Sequence, residues 1–148
     1  MKILFIELLG GIGDLIIALP AIKALALSYP QSQVTVLTFP PNGELLQADP
    51  RIHEVIYAKQ GEVRQAIAQT LAQQHFDLVV SDTNYDAIAD LIDASGAQRI
   101  VTNLWRNPPD NQLVSDRFLQ ILQHEGLIAP KVISKAKPLI HLLEAEIA

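Results

Sequence analysis

Short, continuous apolar runs alternate along the chain with segments whose apolar residues recur every three to four positions. Runs of this kind are typical of strands that helices cover on both faces. They predict five strands, at residues 3–8, 34–38, 55–57, 77–81 and 99–102. The periodic segments predict helices at residues 14–28, 42–48, 61–73, 85–94 and 114–125. This alternation predicts a doubly wound, Rossmann-like α/β domain of three layers with a mainly parallel sheet.

The first predicted helix is apolar almost all the way round, since Lys23 is its only charged residue after Asp14. A helix on the surface of an α/β domain should carry a polar stripe. We therefore expect this helix to be covered on more than one side, with another domain as one candidate for the cover. Pro20 lies inside it, lacks a backbone donor and should bend its first turns.

The composition predicts one folded domain and excludes several kinds of chemistry. The chain has 148 residues, of which 49% are hydrophobic and 18% are charged, which suits a single domain with its own core. The net charge of -5 argues against nucleic acid as the main partner, because phosphate binding needs a basic face. The absence of cysteine excludes disulfides, thiolate catalysis and cysteine-ligated zinc, and it favours a reducing compartment.

Candidate chemistry is concentrated in the turn Gly10-Gly11-Ile12-Gly13-Asp14, between the first strand and the first helix. A dinucleotide site would need G-x-G-x-x-G and an acid at the end of the second strand, where this chain has Phe39 and Pro40. Asp14 would also repel a pyrophosphate at the helix start, so we do not expect NAD or FAD. Asp14 is either a helix cap, worth about 1 kcal/mol, or a reactive acid where parallel sheets place their chemistry.

Polar residues follow the fourth and fifth predicted strands, on the same sheet edge as Asp14 if the sheet is parallel. The side chains that follow the fourth strand offer donors and acceptors that suit a sugar: Asp82, Thr83, Asn84 and Tyr85. For Thr83 or Asn84 alone, a cap on the next helix is the more common role. Trp105 could stack on a sugar ring or pack in a core or interface. Arg106 is the only cation expected beside it.

Several motifs occur in the order and spacing of glycosyltransferase family 9, the heptosyltransferases. They span nearly the whole chain: Gly13-Asp14, Leu19-Pro20, Tyr29-Pro30, Asp49-Pro50-Arg51-Ile52-His53-Glu54-Val55, Phe76-Asp77-Leu78-Val79-Val80, Ser95-Gly96-Ala97, and the helix from Arg117 to Leu127. The chain therefore resembles the N-terminal, acceptor-binding half of a family 9 enzyme.

The resemblance implies a GT-B enzyme, in which two Rossmann-like domains face each other across a cleft. Residues 1–136 would form the acceptor-binding domain, and residues 137–148 would begin the interdomain linker. The donor-binding C-terminal domain, which would hold the nucleotide-sugar, is absent from the chain, so we expect the fragment alone to be inactive. The family uses no metal or other cofactor. The resemblance also implies a cytoplasmic protein, whose glycolipid acceptor would bring the full-length form to the inner face of the cell membrane.

The resemblance further implies an inverting transfer in which Asp14 is the general base. Its carboxylate would take the proton of the acceptor hydroxyl as that oxygen attacks the anomeric carbon. The residues expected to contact the sugar or glycolipid acceptor lie in the three loops described above: Gly11, Ile12, Gly13, Asp82, Asn84, Trp105 and Arg106.

The chain departs from the family pattern at two places. Members that act on phosphorylated lipopolysaccharide cores carry a basic residue in the first strand, where this chain has Ile6-Glu7-Leu8-Leu9. An Asp-x-x-Gly segment followed by Arg is replaced by Ser81-Asp82-Thr83-Asn84-Tyr85-Asp86. Both changes remove positive charge, so we expect a neutral or less charged acceptor. Two other functions stay open: a self-contained nucleotide-binding module, from the glycine turn, and a non-catalytic flavodoxin-like interaction domain, from the apolar helix.

Overall fold

The computed structural model of the protein describes residues 1–105 and 113–136. Five strands form one sheet in the order β3-β2-β1-β4-β5, and every neighbouring pair is parallel. The strands are β1 (Lys2–Ile6), β2 (Gln33–Thr38), β3 (Ile52–Tyr57), β4 (Leu78–Ser81) and β5 (Arg99–Val101). All five were predicted, with differences of one to three residues at their ends.

Helices cover both faces of the sheet, which confirms the doubly wound α/β fold. They are α1 (Ile12–Ser28), α2 (Glu44–Gln47), α3 (Val63–Gln73), α4 (Ile88–Asp93), α5 (Val114–His124) and α6 (Pro130–Ala136). Buried side chains of α1, α5 and α6 pack in one core layer, and those of α3 and α4 pack in the other. The described helices include none that is both long and apolar enough to cross a membrane.

The central strand β1 shows why its sequence is continuously apolar. Ile3 and Phe5 point into the layer that contains α1, whereas Leu4 and Ile6 point into the layer that contains α3 and α4. All four side chains are fully buried. Burying a side chain of this size contributes roughly 1.5–3 kcal/mol, so the strand is apolar on both faces because both faces are core.

Helix α1 is covered within the chain itself. More than half of its residues are buried, and it packs against α5 and α6 as well as the sheet. The expected cover on more than one side is therefore present, and α5 and α6 supply it. Ile12, at the start of the helix, is the large apolar residue of α1 that stays 46% exposed.

Helices α1 and α4 begin at other residues than predicted for local reasons, and one helix, α6, was not predicted. Helix α1 begins two residues early because Gly11 has an extended backbone and serves as its N-cap. Helix α4 begins at Ile88, after Asp86 and Ala87 adopt positive φ values of 52° and 54°, which are incompatible with a right-handed helix. Helix α6 was not predicted; it begins with Pro130, a residue favoured in the first helical turn. The predicted linker at residues 137–148 lies outside the described residues.

Candidate functional site

The candidate site lies where the strand order changes direction. From β1 the chain builds outward to β2 and β3 on one side, whereas β4 and β5 lie on the other side. Ligands of open α/β sheets bind at such a switch point, beyond the carboxyl ends of the strands. Ile6 of β1 pairs with Ser81 of β4, so the residues that follow, Glu7 and Asp82, begin two adjacent loops at this point.

Asp14 is the third residue of α1 and caps the helix from that position. Its Oδ2 accepts a hydrogen bond of 3.0 Å from the backbone N–H of Gly11, the N-cap residue. This is the return half of a capping box, in which an acid at the third position satisfies the amide of the cap. The capping role is thus observed, while the carboxylate remains partly exposed. Its role as a base stays a prediction.

The first turn of α1 presents an open surface beside this carboxylate. Gly11, Ile12 and Gly13 are all exposed. A Cβ placed on Gly13 would have no other atom within 4 Å, whereas one on Gly11 would lie 3.1 Å from Oδ2 of Asp14. An acceptor could therefore approach the backbone at Gly13 closely, which is compatible with the contacts predicted for these three residues.

Glu7 is an acidic residue of the site whose place in the sequence indicated only a departure from the family pattern. It directly follows β1 and is fully buried. Its Oε2 accepts the N–H of Leu9 at 3.0 Å, and its Oε1 accepts the hydroxyl of Thr38 at 3.3 Å. Burial raises the pKa of Glu7, and these two hydrogen bonds oppose the rise. An acid directly after an apolar strand was the signal that could have identified it.

Asp82 is 1% exposed and does not reach the surface. Its Oδ1 accepts the hydroxyl of Thr83 at 2.8 Å, and its Oδ2 has no hydrogen-bond partner. Burial, followed by the charge of Glu7, raises the pKa of Asp82 well above its usual value. A carboxyl this deeply buried is not placed to contact a sugar, which counts against the predicted substrate-binding role of Asp82.

Two side chains of the loop that follows β4 form hydrogen bonds with Leu8, in the segment after β1. The hydroxyl oxygen of Thr83 accepts the N–H of Leu8 at 2.8 Å, and the hydroxyl of Tyr85 donates to the carbonyl oxygen of Leu8 at 2.6 Å. Asn84 lies between them and is exposed, as a sugar contact requires. The alternative that Thr83 or Asn84 caps the next helix is wrong, because Ala87 is the N-cap of α4.

Trp105 follows β5 and packs against α5, which is one of the two roles that the sequence left open. Its ring meets the ring of Phe118 edge to face, with centroids 5.2 Å apart and planes at 88°. The side chain is still 37% exposed. The ring is therefore held by packing against α5 while part of its surface remains exposed, and stacking on a sugar stays a prediction. Arg106 lies outside the described residues.

Metal chemistry has no candidate in the described part of the chain. No group of three or more histidine, aspartate or glutamate side chains there could hold a metal ion. The arrangement at the switch point instead consists of one partly exposed carboxylate, two buried carboxyls and a loop bound through its backbone.

Comparison with known proteins gives the fold a set of structural neighbours. The sequence matches no protein-family model and no curated protein. Among solved structures, a family 9 glycosyl transferase from Veillonella parvula DSM 2008 superposes with a TM-score of 0.67 and 18% identity, over 85% of this chain and 42% of that one.

Two structures of the E. coli heptosyltransferase WaaC also match. The complex with ADP gives a TM-score of 0.57 and 14% identity, over 84% of this chain and 46% of that one. The complex with ADP-2-deoxy-2-fluoro heptose gives 0.60 and 13%, over 92% and 53%. The chain thus shares the fold of part of these glycosyltransferases and spans about half of their length.

Proposed function

We propose that this chain is the acceptor-binding half of an inverting GT-B glycosyltransferase, which moves a sugar from a nucleotide-sugar to a glycan or lipopolysaccharide-type acceptor. The observation that carries the proposal is the likeness of its fold to the family 9 glycosyl transferase and to WaaC, over about half the length of those chains. A second domain would bind the donor, so the chain alone is expected to be inactive.

Asp14 is proposed as the general base of the transfer. Its carboxylate is partly exposed at the switch point and lies beside the open first turn of α1. It would accept the proton of an acceptor hydroxyl while that oxygen forms its bond to the anomeric carbon. The bond from the anomeric carbon to the nucleoside diphosphate breaks on the opposite side, which inverts the configuration.

The acceptor is proposed to be a neutral or weakly charged sugar. Glu7 raises the pKa of Asp82, and Asp14 raises the pKa of both of these carboxyls. The partly exposed carboxylate of Asp14 places a negative charge at the switch point, and that charge disfavours a phosphorylated acceptor. A sugar hydroxyl with uncharged neighbours meets no such repulsion.

Substitution of Asp14 in the full-length protein tests the proposal. Asp14→Asn keeps a side-chain oxygen that can accept the Gly11 N–H, but it removes the base. We expect a fall in kcat of roughly 10²–10⁴ with an unchanged unfolding midpoint. Asp14→Ala should lose the same activity and also the cap, worth roughly 1 kcal/mol.

Asp90→Asn is the matched control, since Asp90 is also the third residue of its helix and is exposed. It removes the same charge from the same helical position and should leave kcat within twofold. Wild-type turnover in the Asp14→Asn enzyme would eliminate Asp14 as the base. An equal loss in the Asp90→Asn enzyme would point to overall charge instead.

A further inference from the structure

The loop that leads into α1 is bound by side chains from distant parts of the sequence. Thr83 accepts the N–H of Leu8, and Tyr85 donates to the carbonyl of the same residue. The backbone N–H and the carbonyl of Leu8 are therefore both bonded to the segment that follows β4, by residues 75 and 77 positions further along the chain.

The hydroxyl of Thr83 is oriented for this contact by Asp82. Its single hydrogen is donated to Oδ1 of Asp82 at 2.8 Å. Only its lone pairs then remain for Leu8, whose N–H lies 2.8 Å away. Asp82 therefore has a use in the site although it is buried, because it fixes which way the Thr83 hydroxyl points.

Glu7 adds a contact one residue further along the loop. It accepts the N–H of Leu9, and the hydroxyl of Thr38 from the end of β2 donates to its other oxygen. Asp14 then accepts the N–H of Gly11. Side chains thus bind the backbone at Leu8, Leu9 and Gly11, and the last of these contacts belongs to the proposed base itself.

We propose that Thr83 and Tyr85 are positioning residues for Asp14. They fix Leu8 at the start of the loop, and the loop places the Gly11 amide to which the Asp14 carboxylate is bonded. Neither side chain needs to touch the acceptor. The inference rests on the proposed function, because it assigns these residues to the reaction in which Asp14 is the base.

The geometry separates this role from simple support of the fold. The Leu8 side chain is buried in the core layer that contains α3 and α4, so it anchors the loop without the two hydroxyls. Gly10 has a φ of 113°, in the region that only glycine adopts readily. Loss of the hydroxyls should therefore loosen the segment around Gly10 and Gly11 while the domain stays folded.

The experiment compares Tyr85→Phe and Thr83→Val with two controls in the full-length protein. Tyr57→Phe removes a hydroxyl from a tyrosine that is 38% exposed, against 37% for Tyr85, and that accepts a bond from Gln47. Thr70→Val removes a hydroxyl that donates to a carbonyl within α3. The controls delete equivalent groups away from the loop.

Two readouts are measured for each variant. Amide hydrogen exchange of residues 8–14 should quicken at least threefold in Tyr85→Phe and Thr83→Val, and in neither control. In Tyr85→Phe, kcat should fall about tenfold with the acceptor KM within twofold. When combined with Asp14→Asn, Tyr85→Phe should lower kcat no further, because a residue that acts through Asp14 has no effect once the base is gone.

Three results would overturn the inference. Unchanged exchange at residues 8–14 would mean that the hydroxyls do not hold the loop. Faster exchange with wild-type kcat would mean that the loop does not position the base. Losses that multiply in the double variant would assign Tyr85 a role of its own. A wild-type enzyme without transfer activity would refute the proposed function and this role together, while the exchange data would still decide whether the hydroxyls hold the loop.

Discussion

The Gly13→Ala variant tests separately what the start of α1 contributes to stability and what it contributes to acceptor binding. Gly13 is the second residue of the helix, and the added methyl would have no other atom within 4 Å. Alanine in place of a helical glycine stabilises by roughly 0.5–1 kcal/mol, because it restricts the unfolded chain. We therefore expect the domain to become more stable, not less.

The same methyl should impair transfer if the acceptor packs against Gly13. Extra methyl groups in a close-packed contact cost roughly 1–3 kcal/mol, which corresponds to a fall of about fivefold to 160-fold in kcat/KM for the acceptor. Urea unfolding followed by far-UV circular dichroism gives the stability, and initial rates of the full-length enzyme at varied acceptor concentration give kcat/KM.

Gln69→Ala is the control for the stability gain. Gln69 is exposed on α3, away from α1, and its replacement should add a few tenths of a kcal/mol of helix propensity with unchanged kinetics. Unchanged kcat/KM in Gly13→Ala would refute the idea that the acceptor approaches this glycine. A lower stability would refute the structural argument, since the position would not be open.

Three further variants test the fold around the site. Folding raises the pKa of Asp82, so the folded protein binds this proton more tightly than the unfolded chain does. The contribution of the proton to the free energy of unfolding is complete below about pH 4 and is lost as the pH rises through the raised pKa. Asp82→Asn should abolish this loss, so the urea midpoint of the variant should rise relative to that of the wild type as the pH increases. Midpoints of the two proteins that change in parallel with pH would contradict the argument. Gly43→Ala would bring a Cβ within 2.6 Å of Val55 Cγ1 and should lower the free energy of unfolding by about 1–3 kcal/mol, whereas an unchanged urea midpoint would show that the site can relax. Ala87→Gly relieves a φ of 54° and should stabilise by up to about 1 kcal/mol, and a lower thermal midpoint would argue against strain at this residue.

The sequence alone determined the strands, five of the six described helices, and the place of the glycine turn and Asp14. A continuous apolar run such as the one that becomes β1 is typical of a parallel strand that is buried on both faces. The glycine turn and Asp14 follow that strand directly, so their position at the sheet edge was fixed by local order. Helix α6 was missed because its seven residues, Pro130–Ala136, give too short a pattern for periodicity to reveal a helix.

Only the tertiary structure decided which loops and helices are neighbours. Glu7 and Asp82 are far apart in the sequence, and they begin adjacent loops only because Ile6 pairs with Ser81 across two parallel strands. Both carboxyls are buried there, and burial raises their pKa values. Packing of α5 and α6 likewise gave the apolar first helix its cover. Local patterns predicted which segments are buried, but they did not specify which strands pair or which helices pack together, because those contacts join residues far apart in the sequence.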